Sequence, residues 1–158
     1  MNKEVILSIL AMDSYQRGYA PGIKDIAGNR IGQFSIGLDS TQYSETVSGQ
    51  DQGFYALSYV LDESWAGIPA GTTVISYRGT DFDSGIQLFR DVTLGWSSFT
   101  GFGSPTQFSL ALDFYRAVTG IDITAGNVPV RNDIITTGHS LGGGLAGAND
   151  NWVLENVA

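Results

Sequence analysis

Asp133-Ile134-Ile135-Thr136-Thr137-Gly138-His139-Ser140-Leu141-Gly142-Gly143-Gly144 is the stretch on which the fold turns. Four β-branched residues in a row after Asp133 predict a short buried strand. That strand runs straight into Gly138-x-Ser140-x-Gly142. The bare pattern carries little, because a chain this rich in Gly and Ser generates roughly 0.3 chance matches. The setting carries more. A nucleophile elbow needs a strand that delivers the serine and a helix that takes the chain away. Gly138 and Gly142 suit a turn in which side chains two residues either side of the serine would collide. Gly143, Gly144, Ala146, Gly147 and Ala148 suit a helix packed close to a sheet, with its N–H groups aimed at developing negative charge. The chemistry expected is nucleophilic attack by Ser140. The plain alternative is a Gly-rich turn with an idle serine.

Upstream, Pro69-Ala70-Gly71 turns the chain into Thr72-Thr73-Val74-Ile75-Ser76-Tyr77, a strong buried strand. Arg78-Gly79-Thr80-Asp81 follows it. An oxyanion hole needs two converging N–H donors, one from the residue after the nucleophile and one from a loop after an earlier strand. Leu141 fills the first role, and Thr80 stands where the second belongs, with a hydroxyl that adds a third bond. Arg78 reads as structural, pairing a carboxylate or carbonyls beneath the loop. The plain alternative for the segment is an ordinary strand-to-helix turn.

Residues 53–61 form another aromatic and β-branched strand, able to pair with 72–77 as a hairpin with a long loop, and alternation suggests a third strand near 31–38. A helix is predicted over 105–119, with Ser104 as cap, Pro105 first and Gln107 completing a capping box. Phe108, Ala111, Leu112, Tyr115 and Val118 recur at helical spacing, Asp113 and Arg116 face out, and Gly120 stops the helix. An amphipathic first helix, capped by Asn2 and closed near Gly18, is preferred over a signal peptide, since Ser8 and Asp13 interrupt the apolar stretch. Helices alternating with short strands predict an α/β fold with a mainly parallel sheet and helices on both faces.

The 158 residues make one domain able to bury a core. Sixteen acidic against eight basic residues give a net charge of −8, which disfavours a nucleic-acid partner and adhesion to anionic lipid. No run of 18 apolar residues exists to span a membrane. The absence of cysteine rules out disulfides and thiol chemistry, and a single histidine rules out a zinc site built on several imidazoles. No metal and no cofactor are expected.

Tyr77-Arg78-Gly79-Thr80, Asp91-Val92-Thr93-Leu94-Gly95-Trp96, the capped helix and Gly138-His139-Ser140-Leu141-Gly142-Gly143, in that order, resemble a lipase of the class 3 type. The opening Ile9-Leu10-Ala11-Met12-Asp13-Ser14-Tyr15 with Arg17-Gly18-Tyr19 is similar to bacterial members, some of them secreted without an N-terminal signal. The resemblance implies a partial α/β-hydrolase fold over residues 1–147 and hydrolysis of lipid esters through an acyl-enzyme. Ser140 would be the nucleophile, and Thr80 with Leu141 the oxyanion hole. A peptidase, thioesterase or acyltransferase shares the elbow; the Tyr-Arg-Gly-Thr segment favours a lipase.

In that family the acid and then the base follow the serine. Here only Asp150 and Glu155 follow Ser140, and the one histidine, His139, precedes it. Adjacent side chains at a strand end diverge, so His139 is expected to pack beside the elbow rather than serve its neighbour. Asp81, Asp83 and Asp91 read as loop carboxylates or caps. Asn149-Asp150-Asn151 breaks the helical pattern, which leaves residues 148–158 as an atypical tail. The chain is therefore expected to be catalytically incomplete as written. The alternatives are a non-catalytic remnant, an acyl-binding module, or one half of a split hydrolase completed by a second chain. An uncovered sheet edge would serve that chain or self-association, and would give a broad unfolding transition at low temperature.

Overall fold

The computed structural model describes residues 2–17, 23, 30–43, 54–78, 107–122, 131–139, 143 and 146. Helix α1 spans Lys3–Arg17, and Asn2 caps it by accepting the Val5 N–H on its side-chain oxygen at 3.0 Å. Strands β1 (Arg30–Ile31) and β2 (Phe34–Asp39) follow, then a single 3-10 turn over Ser40–Gln42. Next come β3 (Ala56–Leu61), β4 (Thr73–Tyr77), helix α2 (Gln107–Thr119) and β5 (Ile134–Gly138).

The described strands form one mixed five-stranded sheet in the order β1-β2-β3-β4-β5. The expectation of a mainly parallel sheet is corrected here. Three of its pairings are antiparallel, and β4 with β5 is the parallel one. Connection length explains the difference. Two residues, Gly32 and Gln33, separate β1 from β2, and eleven, 62–72, separate β3 from β4. Such short links join antiparallel neighbours, whereas a parallel pair needs a crossover of about a dozen residues or more, usually helical. The β4-to-β5 connection contains α2 and meets that need. The strand expected near 31–38 is accordingly a hairpin, broken where Gly32 takes a φ of +57°.

Helices cover both faces, as the alternation of elements predicts. On one face α1 lays Ile6 and Leu10 over Phe34, Leu57, Tyr59, Leu61 and Val74. On the other, Leu110, Ala111, Phe114 and Tyr115 of α2 pack with Ala56, Ile75 and Tyr77. Adjacent residues of β4 thus serve opposite layers, which is the period of two that a strand imposes. Each fully buried large apolar side chain contributes about 1.5–3 kcal/mol to this sandwich. Gly120 ends α2 at a φ of +71°, donating its N–H to the Arg116 carbonyl at 2.8 Å. The expected outward pair, Arg116 and Asp113, sits half-exposed and in contact at 3.3 Å.

Candidate functional site

The candidate site lies at the end of the sheet where β4 and β5 finish side by side. Their parallel register runs from Thr73 opposite Ile134 to Tyr77 opposite Gly138. Both strands therefore stop at the same level. Arg78 leaves one of them and His139 the other, and the His139 N–H donates to the Tyr77 carbonyl at 3.3 Å. The two motifs quoted from the sequence thus begin on adjacent strands at one edge, the arrangement that converging N–H donors require.

A Cβ placed on Gly143 would lie 3.3 Å from the Gly138 carbonyl oxygen, so residue 143 crosses close over the strand end five residues earlier. Gly143 and Ala146 are helical, and the Ala146 carbonyl accepts the Thr136 hydroxyl at 3.0 Å. Ala146 is buried in the core layer of α2. The strand and these two helical positions are the described parts of the expected strand–turn–helix. The expected small residues after the elbow have a physical use here, since a larger side chain at 143 would meet backbone.

His139 is exposed, and its imidazole packs on Tyr15 of α1, with ring centroids 4.8 Å apart and planes tilted by 52°. Around Tyr15 the helix is fastened by buried polar contacts that the sequence did not advertise. Asp13, fully buried, accepts the Tyr59 hydroxyl at 2.9 Å, the Arg17 Nε at 2.6 Å and the Ile23 N–H at 3.2 Å. Ser14 and Ser76 share a hydrogen bond of 2.7 Å. Thr137, two residues before His139, directs its hydroxyl to the Leu7 carbonyl at 3.5 Å.

Arg78 is buried where β4 ends, its guanidinium 5.3 Å from the centre of the Tyr55 ring. Its N–H donates to the Tyr55 carbonyl at 2.9 Å, and the Tyr55 hydroxyl donates to Asp39 at 2.9 Å. Burial first, and then the charge of Asp39 and that hydrogen bond, hold the Tyr55 phenol above its ordinary value. Asp39 also caps the 3-10 turn by accepting the Thr41 N–H at 2.8 Å. The described contact of the Arg78 guanidinium is thus an aromatic face, besides the carboxylate or carbonyl pairing that the sequence suggests.

Of the expected elbow, Gly138 and His139 lie within the described residues. Ser140, Leu141, Gly142 and Thr80 lie outside the described residues, as do Asp81, Asp83, Asp91, Ser104, Pro105 and the tail from 148 to 158. Among the described residues no group of three or more His, Asp or Glu is placed to hold a metal ion. No helix among them is long and apolar enough to cross a membrane. Comparison with family models, with characterised proteins and with solved structures finds no match in any of the three.

Proposed function

We propose that these residues carry the nucleophile and the oxyanion hole of a serine ester hydrolase of lipase type. The observation that supports this reading is the parallel register of Tyr77 with Gly138, which starts the Arg78-Gly79-Thr80 and His139-Ser140-Leu141 segments from one end of two neighbouring strands. The close approach of Gly143 to the Gly138 carbonyl is compatible with the strand–turn–helix setting that an elbow demands.

In this reading the Ser140 Oγ attacks the ester carbonyl carbon while a base takes its proton. The resulting oxyanion accepts hydrogen bonds from the Leu141 N–H and from the loop bearing Thr80. Each such donor contributes about 3 kcal/mol to the transition state. Collapse of the intermediate expels the alcohol, which receives the proton, and leaves an acyl-Ser140 for water to cleave. The favoured substrate is a lipid-like carboxylic ester, and the net charge of −8 favours an uncharged lipid surface over an anionic one. His139 is the one histidine of the sequence, and its ring is engaged by Tyr15. No general base is assigned among the described residues, and dissolved imidazole should stand in for one.

The test is intact-mass measurement after incubation with a fluorophosphonate, with and without imidazole. One adduct per chain, formed faster in imidazole and lost in Ser140→Ala, is expected. Folded protein that takes no adduct under either condition overturns the reading and leaves an acyl-binding scaffold without chemistry.

A further inference from the structure

Tyr15 stands where α1 meets His139, the residue before Ser140 in the sequence. His139 is held from two sides there: its N–H bonds the Tyr77 carbonyl of β4 at 3.3 Å, and its ring lies 4.8 Å from that of Tyr15. A single peptide bond links His139 to Ser140. Tyr15 itself has little freedom to drift. The residue before it, Ser14, bonds Ser76 of β4 at 2.7 Å, and Asp13 is gripped by Tyr59 and Arg17 at 2.9 and 2.6 Å. These partners belong to the sheet or to α1 itself, so the Tyr15 ring is referred to the same frame that carries β5.

We infer that Tyr15 is a positioning residue for the nucleophile, acting through His139. The inference rests on the reading of Ser140 as the attacking group. With its N–H bond to Tyr77 as the one remaining hold, an exposed histidine at the end of a strand would keep more backbone freedom, and with it the following residue. Packing its ring against a locked helix removes that freedom. Reaction rate is sensitive to such freedom, since a displacement of about 1 Å at a reacting group costs up to about a hundredfold. The contact also gives the imidazole a mechanical use that is independent of proton transfer.

Because the sequence holds one histidine, its imidazole proton signals are unambiguous by NMR. Tyr15→Ala should abolish their ring-current shift and speed amide exchange at His139 and Ser140, whereas Tyr15→Phe should preserve both. Fluorophosphonate labelling in imidazole should then become about ten- to a hundredfold slower in Tyr15→Ala, in the limiting rate and not in the half-saturating concentration. Tyr15→Phe should label like the parent. Ile6→Ala serves as the stability control: Ile6 is buried against the sheet, about 13 Å along the helix from Tyr15. It should lower the melting temperature without slowing labelling. Slowing by Ile6→Ala equal to that by Tyr15→Ala would reduce the contact to general stability and overturn the inference. So would normal labelling in Tyr15→Ala. A parent protein that takes no adduct overturns instead the nucleophile reading on which the inference stands.

Discussion

Tyr59, from the middle of the sheet, donates its hydroxyl to Asp13 of α1 at 2.9 Å across an interface where both residues are fully buried. Arg17 sets its Nε on the same carboxylate oxygen at 2.6 Å with its side chain only 15% exposed. A buried carboxylate is tolerable only when its lone pairs are filled, and here a phenol, a guanidinium and the Ile23 N–H fill them.

Removing the hydroxyl and removing the charge should therefore differ. Tyr59→Phe keeps the packing and loses one hydrogen bond to a charged group, a destabilisation of about 1.5–3 kcal/mol. Asp13→Ala removes the shared acceptor of the phenol, Arg17 and the Ile23 N–H at once and should cost about 3–5 kcal/mol. Urea unfolding measures both. Equal losses in the two variants would mean that the Arg17 and Ile23 contacts add nothing to the phenol bond.

Alkaline pH should unfold the protein through the same interface. Burial, then the charge and hydrogen bond of Asp13, pushes the Tyr59 phenol far above its ordinary value, and burial with Asp39 does the same to Tyr55. A raised folded-state value means stability is complete below the ordinary phenol value of 10.0 and is lost as pH rises past it, because the unfolded chain sheds two protons that the fold retains. The expected slope is about 2.7 kcal/mol per pH unit above that point. Urea midpoints across the alkaline range, with tyrosinate absorbance to count phenols, give the measurement. Tyr59→Phe should halve the slope; a flat profile would refute the linkage.

Local signals carried much of this fold into the sequence, and distant contacts did not. The Asn2 cap, the Gly120 stop, the hairpin of β3 with β4 and the strand before the elbow all rest on neighbouring residues, and all are present. On α2 the expected Ala111 and Tyr115 are buried and Leu112 and Val118 pack against the same cluster, while Leu110 and Phe114, outside that spacing, are buried beside them. Sheet direction was misjudged because hydrophobic runs look alike in either orientation; the length of the links decides it. Asp13 read as the residue that ends an apolar stretch. Its partner Tyr59 is 46 positions away, and no local pattern announces such a pair. The Tyr55–Asp39 bond and the Tyr15–His139 contact were hidden for the same reason.

Two turn glycines should respond differently to alanine. Gly32 has a φ of +57°, and a Cβ there would come within 2.7 Å of the Trp65 ring. Gly67 has a φ of +79° with nothing within 4 Å. Gly67→Ala should show only the conformational cost, about 1–2 kcal/mol. Gly32→Ala should exceed it, because the indole must move or the hairpin must open. The Trp65 fluorescence should shift in Gly32→Ala alone. Equal stability losses and an unmoved emission would mean that Trp65 gives way freely.

Gly143 offers a graded probe of the elbow. Its would-be Cβ lies 3.3 Å from the Gly138 carbonyl oxygen, tighter than ordinary contact but short of a collision. Alanine should be accepted with a shift of a few tenths of an ångström and a loss below about 1 kcal/mol, partly offset by its better helix propensity over glycine. Leucine adds atoms beyond that Cβ beside the Gly138 carbonyl, and overpacking there would cost about 1–3 kcal/mol. The strain falls on the strand end that leads into His139 and Ser140, so labelling should suffer more than stability. Fluorophosphonate rates set beside urea midpoints for the glycine, alanine and leucine proteins decide the matter. If Gly143→Leu labels at the parental rate while losing stability, the backbone at Gly143 yields and the end of β5 does not. The close approach at Gly143 would then be a packing detail of the core and would cease to support the elbow.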